Sequence, residues 1–428
     1  MRFGTVWRRE GDWLGVLLVA PVLLFPSRFP ALSIVVLVLF LADRLVRHRC
    51  PVTPRRGTPF DLALTLLAVM TLVGTSVSPA LDVTLPKLSG VLLGLLTFRV
   101  VFSASQPSRR FWWAVALYLA LGAAFVVVGV LTTNWQNKSQ AVSAVTSRIP
   151  RSSLELPGAE GGVNPNALGA STLFVVPLVL MLTVHLSAIA REVPQLSGLS
   201  TWGERTVRVV AWSGLVGLVA VTVLSESRNA WASLLITLVG LAAVGPRSGR
   251  RVVGACALLA LLSGVAILVS MNLSSSWLGR VELWDRALEA IRDFPVTGLG
   301  LGAFRSVLHT FYLPFYSADV IVPHAHNMYL QTALDIGLPG LVAYASLLVL
   351  SGSACWRLCR DSSRARRAAA KGLLGTIVAV SLFDLTDAVA LGAKMGLLFW
   401  YTLGLIAALQ AESGAGLDRG ARATGVSP

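Results

Sequence analysis

Apolar stretches long enough to cross a membrane recur along almost the whole chain, separated by short segments rich in arginine. A helix needs about 20 apolar residues to cross the hydrocarbon core. The pattern predicts spans at 12–26, 29–46, 60–78, 84–102, 111–132, 166–189, 206–224, 229–244, 251–271, 327–354, 371–390 and 393–410. Only 13% of residues are charged, against about 25% in a soluble domain. The expected fold is therefore all-α: a polytopic membrane protein of about twelve transmembrane helices. It reads as a single membrane domain over 1–428, with extracytoplasmic loops at 133–165 and 272–326 and a cytoplasmic C-terminal tail at 411–428.

Orientation follows from where the basic residues fall. With the N-terminus inside, most of the 36 Lys and Arg residues lie in inner segments, including clusters at 44–56, 99–110, 247–251 and 357–371. The net charge of +15 is thus topological and does not mark a nucleic-acid partner. The apolar run after the basic start lacks a small-residue cleavage site, so it reads as a retained helix. None of Cys50, Cys256, Cys355 and Cys359 falls in an outer loop, so no extracytoplasmic disulfide is expected. The inner loops contain no GxxxxGK[ST] phosphate loop, and the glycine run 297–304 lies outside with no Lys-Ser/Thr after it. It reads as a turn following a helix stopped by Pro295.

Function is expected in the two long outer loops. In the second, Val281, Trp284, Leu288 and Ile291 fall on one helical face, which predicts an amphipathic helix over about 280–293. That loop ends Pro323-His324-Ala325-His326-Asn327. Asn327 suits the N-cap of the tenth span. His326 then sits beside unsatisfied helix N–H groups, where an anion can dock and a neutral imidazole is favoured. A general base must be neutral; the alternative is two interfacial histidines, or half a metal site, with no obvious carboxylate partner. Arg228 opens the eighth span on the outer face, against the positive-inside bias, as a snorkelling side chain or a functional one. Arg280 opens the amphipathic helix, and arginine is suited to gripping phosphate through a bidentate fork. Asn164-Pro165-Asn166 reads best as an N-cap with Pro at the first helical position. Asp384, Asp387 and Lys394 cluster between the last two spans.

The order of these motifs resembles the O-antigen ligase family, which includes Wzy-type O-antigen polymerases and O-linked oligosaccharyltransferases. The resemblance is carried by SRxAW at 227–231, Gly279-Arg280…Trp284…Pro295…Gly298, Gly300, Gly302, Phe304, and HNxYLQxxxxxGLxG from His326 to Gly340. It implies a GT-C-like glycosyltransferase of the bacterial inner membrane, needing no metal or other cofactor and working on the periplasmic face. Its expected partners are an undecaprenyl-diphosphate-linked glycan, a lipid A-core or second glycan acceptor, and membrane lipids. By resemblance His326 is the base and Arg228 and Arg280 hold the diphosphate. Asn327, His324, Asn164, Asn166 and Lys394 are candidates for substrate binding. Ligase is the favoured activity and polymerase the alternative, since both share the motifs. A transporter or flippase also suits twelve spans, but no internal repeat is found and the polar candidates gather at the outer surface rather than the midplane. An accessory export protein without catalysis is the third reading.

Overall fold

The computed structural model describes residues 57–105, 108–133, 163–193, 201–244, 275–312, 322–388 and 396–424, with a few isolated positions and a short turn between them. The expected spans at 12–26, 29–46 and 251–271, most of the 133–165 loop, Lys394, Cys50 and Cys256 lie outside the described residues. The described residues are helical apart from turns and one isolated bridge between Thr133 and Val163. The helices are α1 (Asp61–Ser76), α2 (Leu81–Ala104), α3 (Ser108–Thr132), α4 (Pro165–Val184), α5 (Leu186–Glu192), α6 (Thr201–Leu224), α7 (Arg228–Val244), α8 (Ser275–Asp293), α9 (Phe304–Phe311), α10 (Met328–Leu358), α11 (Arg364–Phe383) and α12 (Gly396–Thr424). Among them α2, α3, α4, α6 and α10 are long and apolar enough to cross a membrane, and α1 and α7 are shorter apolar helices. Among the described residues the fold is all-helical, and these apolar helices fit a multi-pass membrane protein.

The chain forms two compact units. The first comprises 1–100, 274–350 and 384–401; the second comprises 101–273, 351–383 and 402–428. In the second, α4 is nearly all buried and packs on α3, α6, α7 and α11. Small residues make this possible. A Cβ on Gly372 or Gly375 of α11 would press within 2.7–2.8 Å of Leu178 and Pro177 of α4, so these glycines let the two backbones approach. At the start of this unit's α11 lies Glu192, whose carboxylate accepts from the Ser363 hydroxyl and from the Arg364 and Ala365 N–H groups. It satisfies orphan donors of the helix start.

In the first unit the amphipathic helix forms as expected, but its buried face is rotated. Leu283, Ala287, Ala290 and Ile291 pack with Phe304 and Leu308 of α9 and Ala333 and Leu334 of α10. Val281 and Leu288 are exposed. The alanines contribute to this: their small side chains let α8 lie close to its neighbours between the buried Leu283 and Ile291.

The glycine run has a structural cause. Helix α10 breaks at Ile336 and Gly337, where Gly337 takes φ 74°. A break frees backbone groups that must be satisfied where water is excluded. The turn after α8 satisfies them: Leu299 N–H donates to Leu334 C=O at 2.7 Å, and Leu338 N–H donates to Pro295 C=O at 2.8 Å. Leu301 N–H reaches Gly74 C=O of α1 at 2.8 Å, and the Leu301 carbonyl accepts from the Thr84 hydroxyl. Gly298, Gly300 and Gly302 all have positive φ. Side chains at 298 and 300 would collide with Leu334 and Ser78.

Candidate active site

The His-bearing segment sits at the start of α10, and two hydrogen bonds fix its middle residue. Ala325 is fully buried. Its N–H donates to Gln331 Oε1 at 2.9 Å, and its carbonyl accepts from Trp284 Nε1 of α8 at 3.0 Å. Gln331 passes the constraint on: its Nε2 donates to Asp335 Oδ1 at 3.0 Å. Asp335 also accepts from the Gly302 N–H at 3.0 Å and pairs with Lys87 of α2. A buried polar chain thus runs from the histidine segment through α10 to the glycine turn and α2. Every group in it has a partner, the condition under which such a network rigidifies its surroundings.

Asn327 caps α10 as expected, its Oδ1 accepting from Leu330 N–H at 3.0 Å. Its Nδ2 donates to the Leu385 carbonyl at 2.9 Å, and Met328 N–H donates to the Asp384 carbonyl at 2.8 Å. The N–H groups of Met328 and Leu330 are therefore taken by protein, which leaves less of this helix end for an anion than the sequence suggested. The same bonds clamp the segment after α11 against the start of α10. That helix stops at Phe383, so Asp384 and Asp387 lie in a connection, where the sequence pattern had continued the span to 390. Asp384 is held by the Tyr344 hydroxyl.

This clamp delivers the carboxylate that sequence reading did not pair with the histidines. His326 Nδ1 lies 3.4 Å from Asp387 Oδ1, and His324 Nε2 lies 3.8 Å from the same oxygen. The two rings are 4.3 Å apart between centroids. His326 adopts φ 46°, a left-handed conformation uncommon for a residue other than glycine and characteristic of constrained sites. Its N–H donates to His324 Nδ1 at 3.2 Å. Burial drives the His324 imidazole down to about pKa 4; Asp387 opposes this, and the nearby His326 and the positive charges of Lys87 and Arg280 reinforce it. Asp387 is buried, which favours its neutral form, yet its interaction with His326 and the hydrogen bond it accepts from the Ala388 N–H help to outweigh burial and hold it below the usual carboxylate range. The result is an ionised carboxylate behind a neutral His324 and an adjacent His326.

The arrangement supports two chemistries. With Asp387 facing Nδ1, the Nε2 of His326 is the atom available to take a proton, the tautomer logic of a carboxylate-oriented base. Separately, His324, His326 and Asp387 offer three ligand atoms within 4.8 Å of one another, a donor set suited to a divalent metal.

Other expected site residues fall elsewhere. Arg280 lies on α8 in the first unit, near enough for its charge to act on His324. Arg228 is in the second unit, as the first residue of α7. It follows a tight turn in which Glu226 takes φ 49° and the Trp231 indole donates to the Thr222 carbonyl at 2.7 Å. A Cβ on Gly169 of α4 would meet Ser225 Oγ at 2.7 Å, so α4 packs directly on this turn. Asn164 is the N-cap of α4, accepting from Asn166 N–H at 2.8 Å with Pro165 next to it; the capping role accounts for both asparagines. Sequence reasoning missed Asp387 as the partner, and also Asp335 and Lys87. Their signal was present: each is an ionisable residue within an otherwise apolar span, a functional candidate by default.

Residues 213–345 match the family model described as O-antigen ligase. This stretch of the chain is similar to the O-antigen ligase family. The matched region contains Arg228, Arg280, the glycine turn, both histidines and the broken part of α10, and its family implies a glycosyltransferase or ligase activity. No curated protein matches the chain. Asp387 falls outside the matched O-antigen ligase region, so its place beside His326 is known from the structure alone.

Proposed function

We propose that this protein transfers a glycan from undecaprenyl diphosphate to an acceptor hydroxyl on the periplasmic face of the inner membrane, as an O-antigen ligase whose acceptor is lipid A-core. The observation that carries the reading is Asp387 set behind His326, a histidine inside the region that matches the O-antigen ligase family model. His326 Nε2 accepts the proton of the acceptor hydroxyl as the oxygen attacks the anomeric carbon. The bond from that carbon to the carrier diphosphate breaks, and the diphosphate leaves with the electron pair. Arg280 and Arg228 neutralise the charge growing on it. The imidazolium formed on His326 is stabilised by the Asp387 carboxylate. Attack opposite the leaving group inverts the anomeric centre, and no second carboxylate is needed as acid, because diphosphate leaves readily.

The His324–His326–Asp387 donor set favours a second reading in which a divalent metal takes part. Chelation separates the two: a rate unchanged by EDTA supports His326 as a direct base, and a loss restored by added metal supports the metal. Ligase and polymerase are separated by acceptor. Purified protein is given carrier-linked glycan with lipid A-core, or with only more of the same donor. One-step glycosylation of the core is the expected result; lengthening of carrier-linked chains would identify a polymerase. Formation of neither product would overturn the transferase reading.

A further inference from the structure

The two histidines of the His324-Ala325-His326 turn do different work, and the difference lies in which ring nitrogens are already committed. His324 Nδ1 accepts the His326 N–H at 3.2 Å. An imidazolium has no acceptor, so this bond requires a neutral His324. A neutral imidazole has one nitrogen with a free lone pair and one that carries the proton. With the Nδ1 lone pair used by the backbone, the hydrogen-bond network assigns the proton to Nε2. That nitrogen lies 3.8 Å from Asp387 Oδ1, so the proton-bearing side of the ring stands beside the carboxylate.

The bond from an N–H back to a side chain two residues earlier is the geometry that Asx turns use. Here it encloses Ala325, whose own N–H and C=O are both taken. It ends on His326, whose φ of 46° is a conformation that persists only where the surroundings hold it. His326 Nδ1 in turn lies 3.4 Å from the same Asp387 oxygen. The two rings, 4.3 Å apart and tilted by 60°, therefore share one carboxylate oxygen at one end and a backbone bond at the other. The links close on themselves: His326 backbone, His324 ring, Asp387, His326 ring. Turning the His326 side chain away breaks the loop.

This arrangement leaves His324 no lone pair for other work. Taking a proton from a hydroxyl, or taking a metal on either nitrogen, would require it to release the His326 N–H. We infer that His324 is a positioning residue, which holds the backbone and ring of His326 so that its Nε2 points to the acceptor. It differs from the substrate-binding role that the sequence suggested. The reaction served rests on the transferase reading; the restraint on His326 does not.

The test combines NMR of nitrogen-labelled histidines in the purified full chain with kinetics of the same variants. The chain has five histidines, so signals are assigned by single substitutions. His324→Asn keeps an oxygen where Nδ1 accepts the His326 N–H but has nothing in place of Nε2; His324→Ala lacks both. In the wild type, His324 should show a bare Nδ1 and a protonated Nε2, and His326 one set of ring signals. Those His326 signals should broaden or split in His324→Ala and stay single in His324→Asn. Glycan transfer by His324→Ala should lose kcat by roughly 10–10²-fold, the scale of a misplaced catalytic group, with donor and acceptor KM unchanged. His324→Asn should recover most of that rate. A proton on His324 Nδ1, or undisturbed His326 signals in His324→Ala, would overturn the inference. So would a raised KM with kcat unchanged, which would make His324 a substrate ligand, or stoichiometric Zn²⁺ shifting its ring nitrogens, which would make it a metal ligand. If the NMR follows the expected pattern while the wild type transfers no glycan, the restraint on His326 stands and the transferase reading fails.

Discussion

In the proposed mechanism the chemistry depends on His326, and its neighbours define what each substitution should do. Asp387→Asn keeps the shape of the carboxylate but removes its charge and acceptor balance. Transfer should fall by about 10²-fold, the cost of a misplaced catalytic group, in a steady-state assay that finds the acceptor KM little changed. Full activity would remove Asp387 from the mechanism. His324 makes a separate test, by NMR of labelled histidine. It should titrate near pH 4, because burial disfavours its charged form and neighbouring positive charges add to that. Since its folded pKa lies below its unfolded value, protonation costs stability as pH falls from about 6.5 toward 4, and above that window the imidazole is neutral. Asp387→Asn should lower the His324 pKa further, because the carboxylate is the one charge supporting protonation; an upward move would contradict the arrangement. At this scale the histidines and arginines were readily legible, since ionisable residues stand out in an apolar chain. It did not pair His326 with Asp387. That contact joins the start of α10 to the end of α11, 61 positions apart, and depends on α11 stopping at Phe383 rather than running on.

At the scale of elements, the glycine turn and the break in α10 form one device. Each supplies the backbone partners that the other lacks, and Asp335 fastens both to Lys87. Gly337→Ala puts a side chain at φ 74° and against Val296. Backbone strain alone should cost about 1–3 kcal/mol, and the collision adds to it. Asp335→Ala leaves Lys87 without its partner and should cost about 3–5 kcal/mol. Thermal unfolding in detergent should show both losses, and an unchanged transition in either variant would refute the coupling. Helix positions were legible because hydropathy sets them: α2, α3, α6, α7 and α10 begin and end within a few residues of the expected spans. The rotated face of α8 was not, because Ala287 and Ala290 contribute little to a hydrophobic pattern yet decide how closely the helix packs. The glycine run was read as a turn, correctly, but its purpose lies in a helix break that no local pattern announces.

For the whole molecule, the claim is an orientation: the histidine segment outside and the basic clusters inside. Single cysteines in a cysteine-free background test it. Thr310→Cys on α9 and Ser362→Cys before α11 are both exposed positions. An impermeant thiol reagent added to intact spheroplasts should label Thr310→Cys and spare Ser362→Cys until the membrane is opened; the reverse pattern would invert the topology. On the proposed reading, the histidine segment forms a periplasmic site at which the glycan of a lipid carrier is moved.

The most direct test of that account is the single-turnover rate of glycan transfer by His326→Ala against wild type, with carrier-linked donor and lipid A-core acceptor. A fall of roughly 10²–10⁴-fold, the usual cost of a lost general base, with the variant still folded and still binding donor, is the predicted result. A near-normal rate would contradict the assignment of His326 as the base and with it the mechanism built on this site.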